Sequence, residues 1–106
     1  MLFELRQYRL HPGKRAEFVQ LMETEIIPFQ VSKGMVILGS FTAPEDDDLY
    51  VWLRRFADEG ELNRLYREVY ESDHWKQVIA PRIPALMVRE EMKVTRLEPT
   101  PRSPIQ

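Results

Sequence analysis

The hydrophobic periodicities of this chain predict an α+β fold: a four-stranded antiparallel sheet with two helices on one face. Two observations carry that reading. Four strand-like runs fall at residues 2–10, 35–42, 49–56 and 85–97, and two stretches of helical spacing separate them in the order strand, helix, strand, strand, helix, strand. The second and third strands are joined only by the polar segment APEDDD, which makes them a hairpin. This order is the split βαβ, ferredoxin-like pattern.

Each element has its own signal. In LFELRQYRL one strand face carries Leu2, Glu4, Arg6, Tyr8 and Leu10, and the other Phe3, Leu5, Gln7 and Arg9. His11-Pro12-Gly13 reads as a turn. A helix is predicted from Gly13 to Ile27 on the stripe Phe18, Leu21, Met22 and Ile26, with Pro28 ending or kinking it and Lys33-Gly34 as a stop. Met35 to Thr42 is the second strand, where Gly39 suggests a bulge or a close backbone approach. LYVWLRRF is the third, apolar on both faces.

Asp58 and Glu61 give a helix start close to a capping box. Leu62, Leu65, Tyr66, Val69 and Tyr70 form one amphipathic face. Ser72 offers a second cap, so a break and a short second helix ending at Pro81 are expected. A last strand lies within Ala85 to Leu97. The chain therefore reads as one domain over residues 1–97 with a proline-rich, irregular tail at 98–106.

Composition excludes several classes. The net charge of −2 gives no basic field for nucleic acid or an anionic membrane. There is no Cys, which removes thiolate nucleophiles and Cys-ligated metals. No apolar run reaches the roughly 20 residues of a membrane span, and MLFELRQYRL has no signal-type apolar region. A cytoplasmic protein is expected. No P-loop, GxGxxG, HExxH or GxSxG motif occurs, and no cofactor or metal is expected.

ELRQYRLHPGK, EIIPFQ, GSFTAPEDDDLYVWLRRF and VYESDHWK, in this order and spacing, resemble the NIPSNAP family. The likeness runs from about Leu2 to Pro84. It implies the dimeric α+β barrel form of the ferredoxin-like fold, and it settles fold better than function, because the chemistry of that family is poorly defined. A homodimer also follows from the residues: the strands carry two apolar faces, and one layer of helices covers only one.

The candidates for chemistry each have a structural alternative. Arg6 can hold an anionic or enolate oxygen as a forked donor, or pair internally with Glu4. Trp52 and Arg54 can form an aromatic wall and a cation for a planar ligand, or pack sheet to sheet across a dimer interface. Tyr66 and Tyr70 can point hydroxyls into a pocket, or be core tyrosines bonded to backbone. His74 can act as a base or ligand contact beside Trp75, or be a solvated helix residue. Some members of the wider superfamily hold haem through a helix His, but His74 has no accompanying motif. His11 reads as a surface turn residue. Asp46, Asp47 and Asp48 lack the Gly and Glu of a calcium loop and read as a solvated hairpin loop.

The catalytic candidates are thus His74, Arg54, Arg6 and Tyr70, and the ligand-binding candidates Tyr8, Trp52, Tyr66 and Trp75. Two functions remain open. One is a cofactor-independent oxygenase or isomerase acting on a small, largely apolar molecule, a reading by superfamily analogy. The other is a non-catalytic homodimeric binding or scaffold module.

Overall fold

The computed structural model describes all 106 residues. Strand β1 (Leu2–Leu10) is followed by helix α1 (Arg15–Leu21), which runs through a π-helical turn (Met22–Ile26) into α2 (Ile27–Ser32). Strands β2 (Val36–Ala43) and β3 (Asp46–Phe56) form the hairpin, and α3 is Glu59–Tyr70. A second π-helical turn (Trp75–Ile79) and a 3-10 turn (Ala80–Arg82) lead to β4 (Met87–Leu97). The sheet order is β2-β3-β1-β4, antiparallel throughout, as the ferredoxin-like pattern requires.

Register decides which side chains share a face. Glu4, Arg6 and Tyr8 lie opposite Arg54, Trp52 and Tyr50; Leu5, Gln7 and Arg9 lie opposite Leu53, Val51 and Leu49. The first set is buried under the helices, where Tyr8, Tyr50 and Trp52 meet Phe18, Leu21, Met22 and Ile79. Phe56 continues this face into a second cluster with Met35, Leu62, Leu65 and Val69. Each such side chain contributes roughly 1.5–3 kcal/mol relative to an exposed one.

Four local features differ from expectation or sharpen it. Pro28 does not end the helix. Ile27 N–H reaches the Met22 carbonyl across the π turn, and Pro28 then sits in the first turn of α2, where no N–H is needed. The stop comes at Gly34, with φ of 107°, where Met35 N–H bonds the Gln30 carbonyl. The hairpin turn is only Pro44-Glu45, because β3 begins at Asp46 rather than Leu49. Arg9 holds the Asp46 carboxylate at 2.8 and 2.9 Å, which extends the pairing. Gly39 fulfils both readings of its position. The register shifts between Ile37 and Gly39, and the Phe41 ring lies 2.5 Å from where a Cβ would stand.

The other sheet face is only partly covered. Phe41, Leu38 and Val36 on β2 are 54%, 38% and 37% exposed. The tail is irregular and turns back over the far end of this face. Arg55 Nη1 donates to the Gln106 carbonyl at 2.9 Å, and the Gln106 side-chain amide donates to the Thr100 and Ser103 carbonyls. It closes a shallow hollow over Phe3, Leu53 and Leu97.

Asp58 caps α3: its carboxylate accepts Glu61 N–H at 2.8 Å, while Glu61 Oε1 accepts Ala57 N–H at 3.1 Å. Asp58→Ala should lower unfolding stability by roughly 0.5–2 kcal/mol in urea denaturation, with the slope of the transition unchanged.

Candidate functional site

Three charged side chains lie buried together on the helix-covered face: Glu4, Arg6 and Arg54, at 2%, 9% and 0% exposure. Adjacent strands place them, since Glu4 and Arg54 are direct partners and Arg6 faces Trp52. Arg54 donates from Nε to Glu4 Oε1 at 3.0 Å, and its Nη2 bonds the same oxygen. Its Nη1 reaches the Gln30 side-chain oxygen at 2.9 Å and the Tyr70 hydroxyl at 2.8 Å. The Arg54 guanidinium also lies 4.8 Å from the Trp52 ring centre and 5.3 Å from that of Tyr66. Tyr66 donates its hydroxyl to Glu4 Oε2 and accepts from Arg54 and Arg6.

These contacts set the ionisation. Burial alone would raise the Glu4 carboxyl, but Arg54, Tyr66 and Arg6 outweigh it and hold the pKa below the usual 4.5. Burial disfavours the Arg6 cation, but the acidic groups around it outweigh burial and raise its pKa above the ordinary arginine value, Glu4 being the one that carries charge at neutral pH. Burial is also the main reason the Tyr8 and Tyr66 hydroxyls are raised above 10. All three charges are therefore present at neutral pH.

Beside this cluster, between sheet and helices, lies a cavity of about 430 Å³. Tyr8 and Trp52 form its floor, and Tyr66, Tyr70 and Trp75 one wall. These aromatics pack edge to face, with Tyr66–Tyr70 centroids at 5.1 Å and Tyr70–Trp75 at 4.8 Å. The cavity reaches the surface at the exposed residues Pro84 and Arg89. An irregularity in β4 accompanies the opening. Pairing with β1 passes from Gln7–Lys93 directly to Arg9–Val88, which leaves Tyr8 without a partner there.

Six candidates named from the sequence thus meet at one cavity: Arg6, Tyr8, Trp52, Tyr66, Tyr70 and Trp75. Two do not. Arg54 is enclosed behind the wall, fully engaged with Glu4, Gln30 and the tyrosines. His74 lies on the exposed side of the helical segment, its ring 4.8 Å from that of Phe29, and does not line the cavity. Trp52 and Arg54 face the helices, so neither can pack sheet to sheet across an interface. The Tyr66 and Tyr70 hydroxyls bond side chains, not backbone. His11 Nε2 lies 3.0 Å from the Pro84 carbonyl oxygen, which ties the start of the loop after β1 to the cavity rim. No cluster of three or more acidic or histidine side chains could hold a metal, the Asp46–Asp48 run included.

Gln30 was not singled out by sequence reasoning, although it is completely buried and orients Arg54. Its signal was a polar residue four positions after Ile26, on the apolar stripe of the helix.

A ferredoxin-like sheet with a polar cluster and an aromatic-walled cavity beneath its helices defines the class of protein. The chain belongs to the NIPSNAP family, whose match covers residues 3–104. It is similar to a NIPSNAP-like domain protein from Burkholderia xenovorans, with 27% identity, a TM-score of 0.86, and coverage of 97% of this chain and 88% of that one. It is also similar to a NIPSNAP family protein from Agrobacterium tumefaciens, with 25% identity, a TM-score of 0.86, and coverage of 99% and 98%. An antibiotic biosynthesis monooxygenase shares the fold at 18% identity and a TM-score of 0.70, over 95% of this chain and all of that one. No curated protein sequence matches significantly.

Glu4→Gln leaves two buried guanidiniums facing a neutral amide and should cost roughly 3–5 kcal/mol in chemical denaturation. The pH dependence follows from the lowered carboxyl. The stability from ionised Glu4 is fully present above pH 4.5 and is lost as pH falls through the lower folded-state value. Acid titration of the melting temperature should show a shallower fall in Glu4→Gln than in the wild type.

Proposed function

We propose that the protein binds a small, largely apolar or aromatic molecule in the cavity between sheet and helices. The supporting observation is the cavity itself: about 430 Å³, with twelve of its fifteen lining residues hydrophobic. That size and lining suit a small organic ligand held by shape, with a few polar groups fixing its orientation. Trp52 in the floor and Trp75 in the wall make binding directly readable. Titration with 1-naphthol should quench tryptophan fluorescence saturably. Ile83→Trp, which adds bulk at the cavity wall, should weaken binding by about tenfold or more while the protein still folds. Quenching that is linear and unaffected by Ile83→Trp would refute the reading.

Binding without catalysis is the better-supported continuation. None of the lining residues is His, Asp, Glu or Lys, so the cavity offers no ready general base. The oxygenase or isomerase reading rests on the fold shared with the monooxygenase and on Arg6, which could stabilise an enolate or phenolate oxygen. It requires a substrate that ionises on its own. Protein-dependent oxygen consumption with a naphthoquinol would favour it, and its absence across quinol probes would favour the binding module.

We also infer a homodimer, formed by the sheet face that the helices leave open. Phe41, Leu38 and Val36 on β2 continue into Val51, Leu49 and Leu5 on neighbouring strands. A second copy of the same face would cover them around a two-fold axis, in an interface expected to exceed about 2,000 Å². The melting temperature should then rise with protein concentration, and Phe41→Asp should give a monomer of 12.6 kDa in sedimentation. A concentration-independent wild-type monomer would exclude the dimer. No helix is long and apolar enough to cross a membrane, and a location in the cytoplasm is consistent with that.

A further inference from the structure

The charges beneath the helices do not balance. Two guanidiniums, Arg6 and Arg54, face one carboxylate, Glu4, which leaves one positive charge uncompensated. Among the groups acting most strongly on either guanidinium, Glu4 is the one carboxylate. The two arginines are not equivalent. Arg54 spreads its donors over Glu4, Gln30, Tyr66 and Tyr70. Arg6 makes a single contact to Glu4 at 3.2 Å, one to the Tyr66 hydroxyl at 3.2 Å, and one to the Met92 sulfur at 3.3 Å, a weak acceptor. Its Nε is buried with no partner. Directly across the strands, the Trp52 indole N–H is buried beside the Tyr8 hydroxyl without closing a hydrogen bond to it. Arg6 and Trp52 both line the cavity, and Arg89 stands at its rim.

An unpaired buried donor and a surplus buried charge both cost stability, and a partner of opposite charge relieves both. Building on the cavity as a ligand site, we propose that its ligand is an aromatic or aliphatic monoanion. Its carboxylate, enolate or phenolate oxygen would be taken by Arg6, with Trp52 as a second donor, and its apolar body would lie against Tyr70 and Trp75. Arg54 is the structural partner of Glu4, and Arg6 is the ligand's.

The test is a series of matched pairs, benzoate, 1-naphthoate and 9-anthroate, each beside its neutral amide, titrated calorimetrically at neutral pH. The wild type should prefer the acid of the fitting pair by about tenfold or more, the scale of one charge-assisted hydrogen bond. In Arg6→Met the acid should fall to the level of the amide, the amide should bind as before, and the melting temperature should hold or rise. Arg6→Lys should recover part of the preference. Equal binding of acid and amide by the wild type would overturn the anion and leave the cavity reading intact. A preference that survives Arg6→Met would overturn the assignment to Arg6. Binding of no pair would overturn both readings together.

Discussion

The buried pair of Glu4 and Arg54 is the constraint on which the rest of the structure depends. It joins the two central strands at one register, because a slip of one residue would turn Glu4 toward the open face and strand Arg54 under the helices. It also reaches beyond the sheet. Gln30 brings α2 to Arg54, and Tyr66 and Tyr70 bring α3 to the same guanidinium. A purely apolar core would hold these helices more loosely in orientation. Here directional hydrogen bonds fix both helical segments against the sheet, and the cavity is the space left between them.

The two sheet faces divide the work by chemistry. The helix-covered face mixes aromatic rings with charge, so its polar members need partners there and largely find them in one another. The open face is apolar along β2 and the middle of β3 and polar at Gln7 and Arg9 on β1, Arg55 on β3 and Lys93 on β4. That division would place the proposed ligand site and the proposed dimer face on opposite sides of a sheet only four strands wide.

Much of this was legible in the sequence. β1 falls on its predicted bounds, and α3 starts at the cap that Asp58 and Glu61 announce, because both signals are local. Six aromatic and basic candidates converge because strand alternation and helical spacing fix which face each side chain takes. Where the structure departs from the sequence, the cause lies outside the signal of the residue itself. Pro28 continues a helix because a π turn precedes it. Asp46 joins a strand because Arg9, distant in sequence, holds it. His74 lies on the exposed side, the solvated-helix alternative of its reading. Gln30 was overlooked because the partner that makes it informative, Arg54, comes from another element.

Both π turns border the cavity, through Met22 and Ile26 on one side and Trp75 on the other. A π turn is a helix carrying one residue more than its hydrogen bonds require, and each residue of an α-helix advances it by about 100°. Deleting a single residue from Met22–Ile26 would let this turn close as ordinary α-helix, which keeps Gln30 near its present phase but narrows the helix where Met22 and Ile26 line the cavity. Side-chain substitutions would leave the wide turn in place. The chamber wall is therefore set in part by residue count in its two enclosing helical segments, and a one-codon deletion within a π turn is the smallest change that would redraw that wall.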